Sequence, residues 1–346
     1  MNKIYDTAVF IGRFQPFHRG HYRVVQKALE NAKELVIVLG SSHSPRTLRN
    51  PLNDLERQNI IRSSLSGIEN GRVKIVKVHD NEYNESAWVS SIVDEVNKVV
   101  DSNNSITLIG MNKDESSYYL SKFPMWDSID FVPNTTEIVS STDIRNLFLE
   151  QLNSKFDEAS FDDYFLNRDH AKTAISWLSS AYSGMHDDLE LVENYESTWG
   201  EGPHFTVDSI VETSGHILLV RRNGDYARGL YALPGGFLNK GELILDATIR
   251  ELREETLLKI PEKVLRGSVV SSKMYDNPFR DERSRVLTNA THFKLEDRQK
   301  LPKVKGSDDA DKAFWAPFNF MKDPKVKEMF FSDHLSIISD KLKMTL

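Results

Sequence analysis

Short apolar runs alternate with helical stretches through the first half of the chain. Residues 7–11 (TAVFI) read as a buried strand, apolar positions at helical spacing run from Arg19 to Asn31 beyond the loop 12–18, and LVIVLG (35–40) reads as the next strand. The same alternation predicts a helix over 54–67, a strand over 73–78 and a helix over 86–101. Strands at 106–110 and 129–132 follow, then helices over 142–152 and 170–182. Strand and helix in turn build a parallel, doubly wound sheet, because parallel neighbours need a crossover between them. The rhythm then changes: FTVDSIV, HILLVRR and LTNATHFKL are strand-like and surround one helix over 241–257, which predicts a separate α+β unit. The stretch 183–203 is polar, acidic and contains glycine, and is expected to link domains at 1–182 and 204–346. No internal repeat or low-complexity tract is evident.

Composition fits this division. A chain of 346 residues has room for two cores of ordinary size. Charged residues at 27%, hydrophobic residues at 39% and a formal net charge of −7 describe a soluble globular chain unsuited to coating nucleic acid. Cys is absent, which excludes disulfides, thiolate metal sites and Cys nucleophiles and leads us to expect a reducing, cytoplasmic setting. No run of about 18 apolar residues occurs, so neither membrane insertion nor export is expected.

The string Gly12-Arg13-Phe14-Gln15-Pro16-Phe17-His18-Arg19-Gly20-His21 follows the first strand and opens the first helix, at the carboxyl end of a strand in a parallel sheet, where ligands bind. Gly12 lets backbone and ligand approach closely, and Pro16 stiffens the loop. His18 and His21, three apart, can face one pocket at a helix N-terminus rich in unpaired N–H groups. Imidazoles there donate hydrogen bonds to phosphoryl oxygens, which suits charge that grows during transfer. A bare histidine pair beside a turn is explained equally well as a surface feature; the full string after a strand tips the reading. A second string, Val139-Ser140-Ser141-Thr142-Asp143-Ile144-Arg145, places an N-cap at Ser141 and Thr142 and leaves backbone N–H groups for an anion, with Arg145 reaching the same anion. Alone it is a capped helix; beside the histidines it reads as the other half of a phosphate site.

In the second unit, residues 236–258 (GFLNKGELILDATIRELREETLL) place Glu251, Glu254 and Glu255 on one helical face beside an apolar stripe of Leu245, Ile249 and Leu252. Carboxylates so close repel unless cations join them. Hard oxygen ligands favour Mg²⁺ or Mn²⁺, ions that bridge a diphosphate and activate water. Arg250, four residues before Glu254, is expected to orient carboxylates. Most Glu-rich helices are simply solvated faces, and spacing alone does not decide against that here; the resemblance given below does, through Gly236, Glu242, Arg250, Glu251, Leu252, Glu254 and Glu255. Leu257 in a left-handed turn would cost about 1 kcal/mol, so the helix is expected to continue through it.

The first two strings resemble signatures of the nucleotidylyltransferase superfamily, GRFQPFHRGH in the form found in archaeal-type nicotinamide-mononucleotide adenylyltransferases and VSSTDIR with Val139 for the usual Ile. Residues 236–258 resemble the Nudix box, with Leu257 where that motif has Gly. The tandem order resembles the bifunctional nicotinamide-mononucleotide adenylyltransferase/Nudix hydrolases over nearly the whole chain. This resemblance implies an α/β fold: a Rossmann-like nucleotidylyltransferase domain with a parallel doubly wound sheet, followed by an α/β/α sandwich Nudix domain. It implies adenylyl transfer from ATP, carried with Mg²⁺, to nicotinamide mononucleotide (NMN), giving NAD and pyrophosphate. His18, His21 and Arg145 would be catalytic. Gly12, Arg13, Phe14, Gln15, Arg46, Arg57, Asp80, Asn84, Gly110, Asn112, Lys113, Ser141 and Thr142 would bind the nucleotides, and Trp88 would stack on the cationic nicotinamide ring.

For the second domain the resemblance implies metal-dependent hydrolysis of ADP-ribose to AMP and ribose 5-phosphate. Glu251, Glu254, Glu255 and the Gly235 carbonyl would hold the metal, and Gly235, Gly236, Arg250 and Arg283 would lie at the ADP-ribose. YDNPFRDER (275–283) resembles the substrate loop and GSDDA (306–310) the acidic loop before Trp315. The general base stays open among Glu254, Glu296, Asp308 and Asp309. Expected partners are small nucleotides, not nucleic acid or membranes, and a homo-oligomer is left open. Two alternatives stand: another phosphate acceptor, such as nicotinate mononucleotide, FMN or a sugar phosphate, and a second domain that senses ADP-ribose without cleaving it.

Overall fold

Strands β1 (Tyr5–Gly12), β2 (Ala32–Leu39), β3 (Val73–Lys77), β4 (Ile106–Met111) and β5 (Asp127–Phe131) pair in the order β3-β2-β1-β4-β5. Every pairing is parallel, as the alternation of elements predicts. The computed structural model describes residues 4–111, 121–131, 139–152 and 156–344. The connecting helices are α1 (Arg19–Asn31), α2 (Asp54–Ser64), α3 (Gly67–Arg72), α4 (Glu85–Asn97), α5 (Ser141–Leu152) and α6 (Arg168–Ser183). The helix expected over 54–67 ends early because Ser66 caps a new one, its side chain accepting from the Glu69 amide while Glu69 reaches back to the Ser66 amide. Val9, Ile11, Val36 and Val38 pack on Ile92 and Val96 of α4 on one face of the sheet, while α1 packs on β1 and β2. Strand order reverses between β1 and β4, so the carboxyl ends of these strands, Gly12 and the Gly110 region, flank the crevice where such sheets take ligands.

The second sheet has the order β10-β11-β6-β7-β12, from β6 (His204–Thr213), β7 (His216–Arg222), β10 (Val269–Tyr275), β11 (Val286–Lys294) and β12 (Ala310–Pro317). Short strands β8 (Tyr231–Ala232) and β9 (Gly235–Phe237) pair with β7 and β6. Its pairings are antiparallel except β6 with β11. The helices are α7 (His186–Trp199), α8 (Ile244–Thr256), α9 (Glu262–Gly267), α10 (Pro324–Lys327) and α11 (His334–Leu342). Successive strand residues point to opposite faces. Val211, Leu218 and Val220 accordingly meet Ile249 and Leu252 of α8, and Ile210, Ile217 and Leu219 meet Leu335, Ile337 and Ile338 of α11. The sheet is thus covered on both sides, the expected α/β/α sandwich.

The chain divides into two compact units, Met1–Asp80 with Asn84–Gly184 and Asn81–Tyr83 with Met185–Leu346. The segment read as a linker, 183–203, holds α7, and from Met185 onward it falls with the second unit. Tyr195 is the buried residue of that helix, so its pattern is too faint to read as amphipathic. Among the described residues no helix is long and apolar enough to cross a membrane.

Candidate active sites

At the carboxyl end of β1 the two motif histidines form a reciprocal cap on α1. Nδ1 of His18 accepts from the Gly20 and His21 amides at 3.2 and 3.4 Å, and Nδ1 of His21 accepts from the His18 amide at 3.3 Å. Their rings stack with centroids 3.7 Å apart and planes at 22°. A ring nitrogen that accepts from an amide carries no proton, so each neutral ring bears its proton on Nε2. The cap therefore fixes the tautomer and leaves two parallel N–H donors, the equipment expected for phosphoryl oxygens. Gly12 serves differently from expectation: a Cβ there would lie 2.8 Å from Cζ of Phe14. The space is thus filled by a ring of the same loop, whose residue adopts φ 52° and is buried.

Several cations expected at the phosphates are committed to the protein. Arg57 is 1% exposed and donates to the carbonyls of Arg13, Gly40 and Ser41, to Ser42 Oγ and, at 2.7 Å, to Asp54 Oδ1. It fastens the loops after β1 and β2 to α2 and is not aimed at a ligand. Arg46 forms a bidentate pair with Glu56 at 2.6 and 2.8 Å. Arg145 is buried and donates to the Gln15 carbonyl at 2.7 Å. Ser141 Oγ donates to the Pro16 carbonyl, and the Gln15 side chain pairs with both backbone groups of Leu52. The cap of α5 falls one residue earlier than predicted, since Ser140 Oγ receives the Thr142 amide; Thr142 Oγ1 accepts from Arg145. VSSTDIR thus acts first as a buttress for the histidine loop.

Asp80 accepts from the amide and hydroxyl of Ser41, and Asn84 caps α4 by accepting from the Ala87 amide. Trp88 is partly buried on α4, edge-on to Phe123 with centroids 6.0 Å apart. Arg13 reaches Asn50 at 3.4 Å, and Gly110 lies next to the end of β4. Asn112 and Lys113 lie outside the described residues.

On α8 the balance is anionic. Glu255 is 7% exposed and receives the Gly235 amide at 3.0 Å. Burial pushes its pKa up to about 8 against the pull of that amide, with Glu251 adding repulsion. Glu251 is raised by burial too, opposed by Arg250 and reinforced by Glu254 and Asp308. Arg250 donates to both oxygens of Glu242, to Glu251 at 2.7 Å and to Glu254 at 2.9 Å. It orients carboxylates, as expected, rather than presenting a free cation to ADP-ribose. Glycine is obligatory in the facing loop: a Cβ on Gly235 would meet the Val207 carbonyl at 2.1 Å, and one on Gly236 would meet the Glu251 carboxylate at 2.6 Å. Glu255 and Glu251, driven toward protonation first by burial, make with Glu254 and the Gly235 carbonyl an oxygen donor set that a divalent cation fits, and these four are the candidate ligands.

Leu257 corrects an expectation. It adopts φ 49°, ψ 30° and ends α8, its amide bonding the Arg253 carbonyl. The loop 305–307 explains why: the Lys305 and Ser307 amides cover the carbonyls of Thr256 and Glu255, so the chain must turn there. The same loop brings Asp308 near enough to Glu251 to raise it. Glu296, by contrast, is not at the site. Its carbonyl receives Thr213 Oγ1, and Thr213 is five residues along β6 from Asp208, the partner of Gly235, roughly 17 Å away at strand rise. Asp309 lies near Arg222, whose guanidinium also faces Glu255; that cation beside the glutamates was not distinguished in the sequence. Arg283 is paired with Asp281 at 2.7 Å and lies over the rings of Tyr226 and Tyr195 at 4.7 and 5.3 Å, so it braces the segment 275–283 from within.

Residues 9–147 match the cytidylyltransferase-like family and residues 202–332 the NUDIX domain family. The chain is 38% identical over 159 residues to the nicotinamide/nicotinic acid mononucleotide adenylyltransferase of Acinetobacter baylyi, covering 46% of this chain and 82% of that one. It is 33% identical over 141 residues to the ADP-ribose pyrophosphatase of Methanocaldococcus jannaschii, covering 41% of this chain and 74% of that one. Over its whole length it is similar to a bifunctional NMN adenylyltransferase/ADP-ribose pyrophosphatase from Francisella tularensis, with 31% identity, a TM-score of 0.84 and coverage of 99% and 100%. A second structure described in the same words, complexed with AMP and a manganese ion, matches with 29% identity, a TM-score of 0.82 and coverage of 98% and 99%.

Proposed function

This chain belongs to the family of bifunctional NMN adenylyltransferase/ADP-ribose pyrophosphatases, and we propose that it makes NAD in its first unit and hydrolyses ADP-ribose in its second. The observation that carries the proposal is the presence of both equipped sites in one chain: paired Nε2–H donors after β1 and crowded glutamates on α8.

In the first unit a phosphate oxygen of NMN attacks the α-phosphorus of ATP, and the bond to the departing pyrophosphate breaks. The side chains act by position and polarity. The Nε2–H groups of His18 and His21 donate to phosphoryl oxygens as negative charge accumulates there, with no nucleophile of the protein needed. Gln15, Arg57, Ser141 and Arg145 keep the loop in the shape that aims those donors. Trp88 offers an aromatic face to the pyridinium.

In the second unit water attacks the diphosphate of ADP-ribose, the bridging P–O bond breaks, and AMP and ribose 5-phosphate leave. Glu251, Glu254, Glu255 and the Gly235 carbonyl would hold a divalent cation, Mg²⁺ or Mn²⁺, which when bound would supply positive charge against the diphosphate and make water a better acid. Arg250 orients Glu251 and Glu254, and Glu254 or Asp308 would take the proton of the water. We place these nucleotide reactions in the cytoplasm, in keeping with the absence of Cys.

The test is to incubate the protein with ATP, Mg²⁺ and either NMN or nicotinate mononucleotide, and separately with ADP-ribose and Mg²⁺ or Mn²⁺, and to separate the products. Dinucleotide and pyrophosphate are expected in the first case, AMP and ribose 5-phosphate in the second. Failure to form a dinucleotide from either mononucleotide sinks the transferase reading; intact ADP-ribose with both metals sinks the hydrolase reading. Trp88→Ala decides the acceptor: a loss confined to the mononucleotide supports a pyridine ring, and an unaltered KM points to another phosphate acceptor.

A further inference from the structure

Buried Glu255 and half-buried Glu251 of the hydrolase site both meet the backbone of one loop, Leu233–Gly236. Gly235 donates its amide to Glu255 at 3.0 Å, and Gly236 lies against Glu251 too closely for any side chain. What holds that loop is therefore as consequential as the glutamates themselves. Part of the answer is β6, whose Ser209 amide donates to the Pro234 carbonyl at 2.8 Å. The rest comes from two side chains outside the glutamate motif.

His334, at the start of α11, accepts the Leu233 amide on Nδ1 at 2.9 Å. Its proton therefore sits on Nε2, which faces Asp208 Oδ1 at 3.9 Å. Asp208 is braced on its other oxygen by Thr288 Oγ1 at 2.6 Å. Its Oδ1 presses on Gly235 so closely that a Cβ there would come within 2.6 Å. His334 is 4% exposed, Asp208 5% and Thr288 0%. A buried polar chain thus runs from α11 to the back of the loop. Packing does not require it, since Leu335, Ile337 and Ile338 already supply the apolar contacts of that helix.

We propose that His334 and Asp208 are positioning residues for ADP-ribose hydrolysis: His334 anchors the Leu233 amide and Asp208 backs Gly235, so that this loop presents its backbone to Glu255 and Glu251 in one fixed geometry. The role rests on the hydrolase reading above. Groups that orient metal ligands without touching the metal commonly change affinity or activity by about 10- to 100-fold when removed.

The test compares His334→Leu, which removes the acceptor, with His334→Asn, whose carbonyl can replace Nδ1. For the Leu variant, kcat for ADP-ribose is expected to fall about tenfold or more with KM little altered, and the Kd for Mn²⁺ alone, read from the EPR signal of free ion, to rise about tenfold. The Asn variant should recover most of both, adenylyl transfer should be unchanged in each, and a retained thermal unfolding transition of the second unit reports that it is folded. A Leu variant with wild-type kcat and Mn²⁺ affinity overturns the proposal, and so does an Asn variant as impaired as Leu. If the Leu variant does not fold, Asp208→Asn decides. It keeps the volume but replaces the anion facing Nε2–H, and weaker Mn²⁺ binding supports the proposal while unchanged binding overturns it. Wild-type protein that leaves ADP-ribose intact strikes the hydrolase reading instead, and the Mn²⁺ affinities still judge the positioning.

Discussion

At the end of β1 nearly every polar side chain already has a backbone partner: His18 and His21 exchange bonds with amides, Arg57 with loop carbonyls, Arg145 with Gln15. On α8 the balance differs, for buried Glu255 and half-buried Glu251 are pushed toward protonation, chiefly by desolvation, although the Gly235 amide and Arg250 donate to them. The difference teaches where each site gets its order. Neutral donors with satisfied acceptors are set by folding alone, whereas buried carboxylates are held against electrostatic strain that a cation relieves. Breaking the two sites should therefore have different signatures.

The largest effect is expected from Glu255→Gln. ADP-ribose hydrolysis should fall about 10³-fold, about 4 kcal/mol of transition-state stabilisation, with NAD synthesis untouched. In chelator the variant should unfold no earlier than wild type, because a charge that burial disfavours is gone. Hydrolysis within tenfold of wild type would remove Glu255 from the site.

Burial acts with the opposite sign in the first unit. His170, inside α6 against Phe165 and Phe17, is lowered by desolvation from 6.5 to about 4. A folded-state value below the unfolded one means stability that is full above pH 6.5 and is lost as pH falls toward 4, about 3 kcal/mol in all. Urea unfolding at pH 7 and pH 4 should show His170→Leu gaining on wild type by about that amount. Parallel pH profiles for the two proteins would contradict it.

His18 separates capping from chemistry. His18→Asn keeps an acceptor for the Gly20 amide but loses the Nε2 donor, so kcat for adenylyl transfer should drop about 10²-fold with little change in melting temperature. His18→Ala should lose that activity and, in addition, about 1 kcal/mol of stability. Equal activity in the Asn variant and wild type would mean that His18 only caps. The smallest effect belongs to Leu257→Gly, which relieves a left-handed side chain and should stabilise the second unit by under about 1 kcal/mol without altering hydrolysis. A clear destabilisation in denaturant unfolding would show that the contacts of Leu257 outweigh its backbone conformation.

The sequence pattern exposed what depends on local spacing. The five parallel strands, the α1 start at Arg19 and the shared face of Glu251, Glu254 and Glu255 all follow from periods of 2 and 3.6 or from short strings. What stayed hidden depends on distant partners. Arg57 is expected at the nucleotides until the carbonyls of Gly40 and Ser41 are seen to take its guanidinium. Leu257 turns because loop 305–307 covers the helix end, and His334 gains meaning only beside Leu233, 101 residues earlier. Glu296 looked as eligible a base as Asp308 until strand register set it at the far end of β6.

Arg57 has a kinetic consequence. One guanidinium joins Arg13, Gly40, Ser41, Ser42 and Asp54, so the loops after β1 and β2 and the start of α2 cannot open singly without stripping a buried cation of its acceptors. They are expected to open as one cooperative unit, which hydrogen exchange would read as a common rate for their amides. A lysine, a single point of charge, could not tie these strands of chain together as a forked guanidinium does.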